Sequence, residues 1–285
     1  EDDQEMLQMK FDKMYTTKDI YTIYNWMLDD CGCDLLPEVP YEKRKLPYED
    51  VFPMLYLKYR LSGGNSTHKN IKHLVIDEMQ DYTYLQYTIL ESLFHCRMTI
   101  LGDRAQTLDT KQQDVLRFLP KLLGREIRTI EIKKSYRNTL EIARYAEKVS
   151  GVSDLELLDR HGKEVVEKTF NTDTELLDEL VCHLKCPGDF ETAALITTTE
   201  EEAFDLSRLL KLRGINVSYV DRNSSTFKKG LTVTTFYLAK GLEFDQVFAL
   251  RGAKENPLKN QAEYICATRA LHELYVYEIA DSLSK

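Results

Sequence analysis

The 285-residue sequence predicts an α/β fold with mainly parallel sheets. From residue 72 to the C-terminus, short apolar runs alternate with longer amphipathic segments. Strands interleaved with helices are typical of parallel sheets, because each crossover between parallel strands carries a helix. The composition, 43% hydrophobic and 30% charged, is that of a globular protein. A chain of this length can form one large or two medium domains, each with its own core.

The first 70 residues predict helices joined by irregular segments. Residues 1–30 carry apolar side chains at intervals of three and four, which indicates helix. Three prolines within 31–50 predict an irregular connector, and 48–61 predicts a second helix. Residues 62–70 contain paired glycines and predict a loop. The segment GGNSTHK within it is not a phosphate loop, because it lacks a GK[ST] ending and no strand precedes it.

The regular alternation of predicted strands and helices begins at residue 72. The stretch 152–170 predicts one or two strands with turns. A glycine at 124 ends a helix, so we predict two domains, 1–124 and 125–285. The predicted strands are 73–77, 97–101, 127–132, 193–197, 216–220, 231–236, 245–250 and 273–279, and the predicted helices are 83–94, 111–123, 138–149, 173–185, 199–213 and 259–270.

Charge and composition narrow the functional classes. A net charge of −9 argues against a broad basic face for duplex DNA, although a local groove for a single strand needs only a few cations and aromatic rings. No apolar run approaches the roughly 20 residues that span a bilayer, and we expect no signal peptide. Six sparse cysteines without zinc spacing indicate free thiols in a reducing compartment. We therefore expect a cytoplasmic protein without a membrane partner, and the initial Glu1 predicts a fragment of a longer chain.

The most informative stretch is VIDEMQD at 75–81, an apolar strand that ends in two adjacent carboxylates, Asp77 and Glu78. Parallel strands deliver such acids to the sheet edge where ligands bind. In nucleotide hydrolases the first acid helps to hold Mg²⁺, and the second can orient or deprotonate the attacking water. A lone acidic pair is more often a solvated strand end, so the neighbouring sequence patterns must decide whether this pair has a role in catalysis.

Four further patterns follow in a fixed order: GDRAQ at 102–106, KSYRN at 134–138, TTFYLAKGLEFD at 234–245 and YICATRA at 264–270. Each alone is ordinary. Together, and placed between strands, the five patterns resemble motifs II to VI of superfamily 1 helicases of the UvrD/Rep type, over residues 70 to the C-terminus. The resemblance implies two RecA-like domains of the P-loop NTPase type, the first incomplete at its N-terminal side. It also implies ATP and Mg²⁺ as cofactors, with ATP between the domains, and single-stranded DNA as the partner that is moved.

The resemblance assigns roles to individual residues. Permanently charged guanidinium groups suit the stabilisation of phosphate charge in the transition state. By this resemblance Asp77 holds Mg²⁺ and Glu78 is the catalytic base, while Arg137 and Arg269 are arginine fingers. Gly241 and Glu243 approach the nucleotide. Gln106 couples the γ-phosphate to the nucleic-acid groove, and Thr235 contacts the nucleic-acid backbone.

The sequence also departs from the family. Nothing fits G-x-x-x-x-G-K-[ST] or the adenine-reading glutamine motif, so we expect this chain by itself not to hydrolyse ATP efficiently. About a hundred residues separate SYRN from motif V, too few for a large inserted subdomain. Tyr237-Leu238 replace the usual His-Ser, and Asp109 follows motif III where an aromatic often stacks a base. The short second domain, together with the helix 48–61 ahead of motif II, resembles the HelD-type branch, which leaves as alternatives an interaction module that binds RNA polymerase and a non-catalytic remnant.

Residues beside the motifs also have structural interpretations. Lys240 either caps a turn or contacts the nucleotide. Asp81 and Asp245 are predicted structural acids that pair with nearby backbone. The three tyrosines that follow motif II on a helix are predicted to pack against neighbouring residues rather than stack on bases: Tyr82, Tyr84 and Tyr87.

Overall fold

A computed structural model describes most of the chain as two compact units. The first unit comprises Glu1–Gly102 and Gln113–Ile127, and the second comprises Asp103–Gln112 and Arg128–Lys285. The chain therefore passes from the first unit to the second twice, between Gly102 and Asp103 and again between Ile127 and Arg128. The described residues are 4–10, 17–62, 68, 70–108, 115–124, 127–151, 156–185, 190–224, 229–252 and 257–280.

The first unit carries a two-stranded parallel sheet. Strand β1 (His73–Ile76) pairs with β2 (Arg97–Ile100), with Val75 opposite Thr99. One face of this sheet packs on two helices through a small core that contains Ile76, Tyr87 and Leu119. The helices of this unit are α1 (residues 4–10), α2 (Ile20–Asp30), α3 (Tyr48–Leu61), α4 (Tyr84–Leu93) and α5 (Val115–Leu123).

Helices α2 and α3 form a separate small core. Asp19 caps α2 by accepting a hydrogen bond from the Tyr21 backbone N–H, and Arg44 binds both oxygens of the same carboxylate at 2.9 and 2.8 Å. The buried Tyr24 donates to Asp50 of α3 at 2.7 Å. These contacts fix the connector 31–47 to the two helices that flank it.

The second unit is built on a six-stranded, all-parallel sheet. Its strands lie in the order β5-β10-β9-β6-β8-β7. A separate short pair, β3 (Lys134–Ser135) and β4 (Glu156–Leu157), is also parallel. The six strands are β5 (Val166–Phe170), β6 (Thr192–Thr197), β7 (Ser218–Tyr219), β8 (Gly230–Thr235), β9 (Phe244–Arg251) and β10 (Ala270–Ile279), and the helices are α6 (Leu140–Ser150), α7 (Asp173–Lys185), α8 (Glu200–Leu212) and α9 (Lys259–Arg269).

Helices cover both faces of this sheet. One core cluster joins α6 and α9 to the sheet through side chains such as Ile142, Ile265 and Val247. The other joins α7 and α8 to the opposite face through side chains such as Leu180 and Leu210. Burial on both faces is the normal condition of a parallel sheet, and it matches the apolar runs Ala193–Ile196 of β6 and Val247–Leu250 of β9.

The α/β class and the parallel sheets are confirmed. Helix 173–185 is found as predicted, whereas strand 127–132 is wrong. Residues 127–133 have no regular structure, and Ile130 and Ile132 are 70% and 80% exposed. Alternating apolar residues favour an extended chain, but a strand also needs a hydrogen-bonded neighbour, and in this region pairing with β4 begins only at Lys134.

Some predictions fall on residues outside the described ranges. These are most of the 62–70 loop, the first residues of helix 111–123, part of 152–170, and Asp109. Within the described part of the chain, no helix is both long and apolar enough to cross a membrane.

Candidate functional site

The acid pair lies where β1 ends in the first unit. Asp77 accepts a hydrogen bond from the Glu78 backbone N–H at 2.8 Å, and the Gln80 side chain donates to Glu78 Oε2 at 2.7 Å. Glu78 has φ 53° and ψ 47°, the left-handed region, as does no other non-glycine residue in the described ranges. This conformation costs roughly 1–2 kcal/mol for an L-residue. Such strain concentrates at functional sites, where the surrounding structure imposes it.

The end of β2 imposes this bend. The Leu101 backbone N–H donates to the Ile76 carbonyl, and the Met79 backbone N–H donates to the Leu101 carbonyl, each at 2.8 Å. Gly102 is required beside them, because a Cβ there would lie 2.7 Å from the Met79 backbone nitrogen. The buried Tyr87 donates to the Met79 carbonyl at 3.1 Å. The two carboxylates are therefore held by backbone contacts on both sides of the turn.

The chemistry of this turn fits a Mg²⁺ ion that is bound mainly by phosphate and water. Asp77 is exposed and offers carboxylate oxygens. Among the described residues, no group of three or more His, Cys, Asp or Glu side chains could hold a metal ion. Mg²⁺ usually keeps several waters and takes only one or two protein carboxylates beside substrate phosphates. A single carboxylate at a strand end suits that binding mode, whereas a closed protein cage would not.

The second unit contains a buried arginine site around Arg269, at the end of α9. Arg269 is only 3% exposed. Its Nη1 donates to the Leu242 carbonyl at 3.2 Å, and its Nη2 donates to Gln106 Oε1 at 3.3 Å. The hydroxyl of Thr268 accepts from Nη2 at 3.1 Å. A buried charge needs such partners, because an unpaired guanidinium would lose its hydration without compensation.

Asp103 orients the glutamine in this site. Its Oδ2 accepts from Gln106 Nε2 at 2.9 Å and from the Tyr264 hydroxyl at 2.8 Å, while Oδ1 accepts from the Ala105 backbone N–H at 3.0 Å. With the amide nitrogen bound to Asp103, the amide oxygen faces Arg269. Burial, and then the nearby Asp103 carboxylate, raise the pKa of Tyr264, so its hydroxyl stays protonated and donates.

Arg137 occupies a different environment. Its side chain is 51% exposed, and its Nε lies 2.7 Å from Glu243 Oε1. The adjacent Asn138 is buried and donates to the carbonyls of Ala267 and Ala270 at 3.2 and 2.6 Å. These carbonyls flank Arg269 along the chain. Asn138 therefore ties the backbone beside Arg137 to the end of the helix that carries Arg269.

The remaining predicted site residues lie near the start of β9 and the end of β8. Gly241 has φ +82° in the turn before β9, which favours glycine. In the same turn, Lys240 Nζ donates to the Gln106 carbonyl at 3.0 Å. Thr235 ends β8, is 1% exposed, and its hydroxyl has no hydrogen-bond partner in the described part of the chain. Its assignment to nucleic-acid contact stays a prediction.

One structural interpretation is confirmed, and a second is confirmed in part. The carboxylate of Asp245 accepts from the Thr192 backbone N–H at 2.9 Å and from the Glu191 backbone N–H at 3.1 Å, so it is a structural acid. Tyr87 is buried and packs edge-on against Phe118, and Tyr82 is partly buried beside it. Tyr84 also contacts Phe118, but it is 51% exposed, so it is not packed inside the protein.

Sequence reasoning did not assign roles to Asp103, Asn138 or Tyr264. All three lie inside the five motifs, but only Tyr264 directly adjoins an apolar run, Ile265–Ala267. A polar residue beside such a run is a usable signal for a buried polar contact, whereas Asn138 lies between Arg137 and Thr139 and carries no such signal. In the same helix Cys266 is buried, and burial raises the pKa of its thiol to about 12.

The structure thus groups the predicted residues by unit. Asp77 and Glu78 belong to the first unit. The second unit brings Gln106 into contact with Arg269, and Arg137 into contact with Glu243.

Comparisons with known proteins find no matching family model and no matching curated protein. Among solved structures, the chain is similar to the C-terminal domain of a possible DNA helicase from Lactobacillus plantarum WCFS1, with 26% identity and a TM-score of 0.43 over 51% of this chain and 88% of that one. It is also similar to the PRRSV helicase, with 17% identity and a TM-score of 0.41 over 74% of this chain and 36% of that one.

A third similar structure is an arterivirus nonstructural protein 10 helicase in complex with DNA, with 18% identity and a TM-score of 0.43 over 75% of this chain and 41% of that one. The chain spans less than half the length of the two viral helicases that it matches. With TM-scores below 0.5, these similarities carry no functional argument, and function is inferred from the contacts within the chain.

Proposed function

We propose that this chain is part of the motor of an ATP-dependent helicase or translocase of the UvrD-like type, which acts on single-stranded DNA. The observation that carries the proposal is the hydrogen bond between Gln106 and the buried guanidinium of Arg269. An amide that both donates and accepts, bound to a permanent cation, can respond to phosphate charge. In addition, the Leu242 carbonyl brings the segment AKGLEF to the same guanidinium.

In this proposal each charged group has a separate task. ATP with Mg²⁺ would supply the phosphoryl group, and Asp77 would hold the ion through a carboxylate oxygen. Glu78 would accept a proton from the attacking water, and the strained backbone would fix the direction of its carboxylate. Arg137 and Arg269 would stabilise negative charge that develops on the phosphate oxygens.

The contacts of Arg269 suggest how the site would respond to a nucleotide. Its acceptors include the Gln106 amide oxygen, the Leu242 carbonyl and the Thr268 hydroxyl, which are neutral. A phosphate oxygen is charged, and charge-assisted hydrogen bonds are about twice as strong as neutral ones. A nucleotide would therefore draw the guanidinium away from Gln106. The released amide would then transmit nucleotide binding to the segment 103–108.

A second candidate is a non-catalytic interaction module, such as an element that binds RNA polymerase. The observation that favours it is the burial of Arg269, which is 3% exposed and donates to the Leu242 carbonyl, the Gln106 amide oxygen and the Thr268 hydroxyl. A buried, satisfied arginine can serve as a structural link between α9, β9 and the 103–108 segment. In that case the acid pair and the arginines would have no nucleotide to act on.

Phosphate release by the intact protein distinguishes the two candidates. We expect ATP turnover that is stimulated by single-stranded DNA, with losses in Gln106→Ala and Arg269→Ala that are not additive in the double variant, because the two side chains act as one unit. The matched control is Arg208→Ala, an exposed arginine of α8 that pairs only weakly with Asp205 at 3.8 Å. Absence of turnover and of ATP binding in the folded intact protein would select the non-catalytic candidate. For the present chain alone we expect negligible turnover.

A further inference from the structure

A short turn outside the motifs packs onto the start of α6, directly after Arg137. The Arg160 carbonyl accepts a hydrogen bond from the Leu140 backbone N–H at 2.8 Å. The Glu141 carboxylate accepts from the Gly162 backbone N–H at 2.8 Å and contacts His161 Nδ1 at 2.9 Å. The segment 160–162 therefore binds to the start of α6 through both backbone and side-chain groups.

Gly162 allows this close packing. A Cβ at this position would lie 2.5 Å from Thr139 Cγ2, which is far inside van der Waals contact. Thr139 occupies the N-cap position of α6, but its hydroxyl makes no capping bond and has no hydrogen-bond partner in the described residues. The turn at 159–162 thus replaces the side-chain cap that α6 lacks, because it supplies an acceptor to one of the unpaired N–H groups of a helix start.

Arg160 also contacts Arg137 directly. Its Nη1 donates to the Arg137 carbonyl at 3.1 Å, and its Nη2 lies 3.0 Å from His272 Nδ1. His272 belongs to β10, where its ring stacks on Phe190 and its Nε2 lies 3.7 Å from Asp245. Arg160 therefore links the backbone of Arg137 to the central sheet through a packed imidazole.

We propose that Arg160 and Glu141 are positioning residues for Arg137: Arg160 fixes the Arg137 carbonyl, and Glu141 fixes the turn that carries Arg160. This inference rests on the proposed function insofar as Arg137 contacts a phosphate. An exposed arginine side chain samples many rotamers, and it is useful to a reaction only if its backbone origin is fixed. Glu243 restrains the far end of the same side chain.

The positioning can be measured without any nucleotide. In the chain labelled with ¹⁵N-arginine, the Arg137 Nε–H signal can be assigned from its loss in Arg137→Lys, and its exchange with water reports the bond to Glu243. We expect Arg160→Ala to accelerate that exchange several-fold and Glu141→Gln to accelerate it less, because Gln retains one acceptor for the turn. Arg208→Ala should leave the signal unchanged.

Two milder variants cover a failure of Arg160→Ala to fold. Arg160→Lys keeps one of the two contacts, and His272→Ala removes the support on β10, so both should give intermediate exchange rates. An Arg137 Nε–H signal that is unchanged in all folded variants would overturn the proposal.

Turnover by the intact protein adds a functional readout. We expect Arg160→Ala to lower kcat about tenfold with little change in KM, because misplacement of a charged group affects the transition state most. In an Arg137→Ala background, Arg160→Ala should have no further effect. An equal loss in that background would overturn the positioning role. If Arg137→Ala itself has no effect, the proposed function fails at Arg137, while the exchange measurement still decides whether Arg160 positions it.

Discussion

The acid pair of the first unit and the arginine site of the second unit are built in opposite ways. The Glu78 carboxylate is bound by Gln80, two residues along the chain, and the backbone of Glu78 is strained. Arg269 is bound by Gln106, 163 residues away, and by Leu242, 27 residues away. The left-handed backbone of Glu78 thus costs conformational energy, and the carboxylate depends on contacts that are local in sequence. Arg269, in contrast, is part of the folded core of its unit.

This difference predicts that substitutions at the two sites will affect stability and activity to different extents. Substitution of an acid should remove chemistry and leave folding intact or improved. Substitution of the buried arginine should damage both, while Arg137, which is exposed, should resemble the acids in its small contribution to folding.

The largest effect should come from Glu78→Gln. In the intact protein we expect ATP turnover to fall by about 10²- to 10⁴-fold, the usual contribution of a general base, while ATP binding is retained. The free energy of unfolding should change by less than about 0.5 kcal/mol. Phosphate release and urea denaturation measure the two quantities. Asp81→Asn, in the same turn, serves as the control with near-normal turnover, and near-normal turnover in Glu78→Gln would rule out Glu78 as the base.

Arg269→Ala should have the largest effect on folding. It leaves the Gln106 amide oxygen and the Leu242 carbonyl buried without this donor, at a cost of roughly 1–3 kcal/mol each at most. We expect a loss of about 2–3 kcal/mol in the free energy of unfolding of the chain, measured with urea. Arg137→Ala removes only an exposed ion pair and should cost between about 0 and 1 kcal/mol. Equal losses of unfolding free energy in the two variants would show that Arg269 contributes no more to folding than Arg137 does.

Backbone strain at Glu78 can be isolated by comparing two variants. Glu78→Gly and Glu78→Ala both remove the carboxylate and its bond to Gln80, but only glycine adopts the left-handed conformation without cost. We expect the glycine variant to be more stable than the alanine variant by about 1 kcal/mol. Thermal and urea unfolding of the chain give the difference. If alanine is the more stable of the two, the turn is not strained in solution.

The smallest effect should be the pH response of the His161–Glu141 pair at the start of α6. Hydrogen bonding to Glu141, and then the charge of Asp159, raise the pKa of His161, and the bond to His161 is the main cause that lowers the pKa of Glu141 to about 2. Because the His161 pKa is raised on folding, its stabilising contribution is complete below the unfolded value of 6.5 and is lost as pH rises through the folded value. Titration of the His161 ring protons by NMR should show the raised pKa.

Glu141→Gln is the matching control for that titration. It should move the His161 pKa back toward 6.5, and the part of the shift that survives belongs to Asp159. A His161 pKa that is unaffected by Glu141→Gln would mean that the imidazole does not bind this carboxylate in solution.

Much of the fold was predictable because its signals are local. Helix α7 follows from amphipathic periodicity, and the central strands β6 and β9 follow from apolar runs that are buried on both faces. The acid pair was visible for the same reason, since a strand and its polar end are adjacent in sequence. Where a local signal lacked a tertiary partner, as in 127–132, the prediction failed.

The arginine site was only partly predictable. The motifs identified Gln106 and Arg269 individually, but nothing in their spacing indicates that Asp103 turns the amide toward the guanidinium. Equally, Asn138 is an ordinary helix-start residue in sequence, and its bonds to Ala267 and Ala270 exist only in the folded unit. Such contacts depend on the packing of α6 against α9, which sequence periodicity does not specify.

The buried thiol on α9 gives the second unit its own kinetic reporter. Cys266 precedes Arg269 by one helical turn, and its raised pKa means that thiolate is nearly absent at neutral pH while the helix is packed. Alkylation of Cys266 therefore requires α9 to open, whereas the exposed Cys31, Cys33 and Cys182 react directly. The ratio of Cys266 labelling to labelling of the exposed thiols, read by peptide mass so that Cys266 is separated from the buried Cys96 of the first unit, would time the opening of α9.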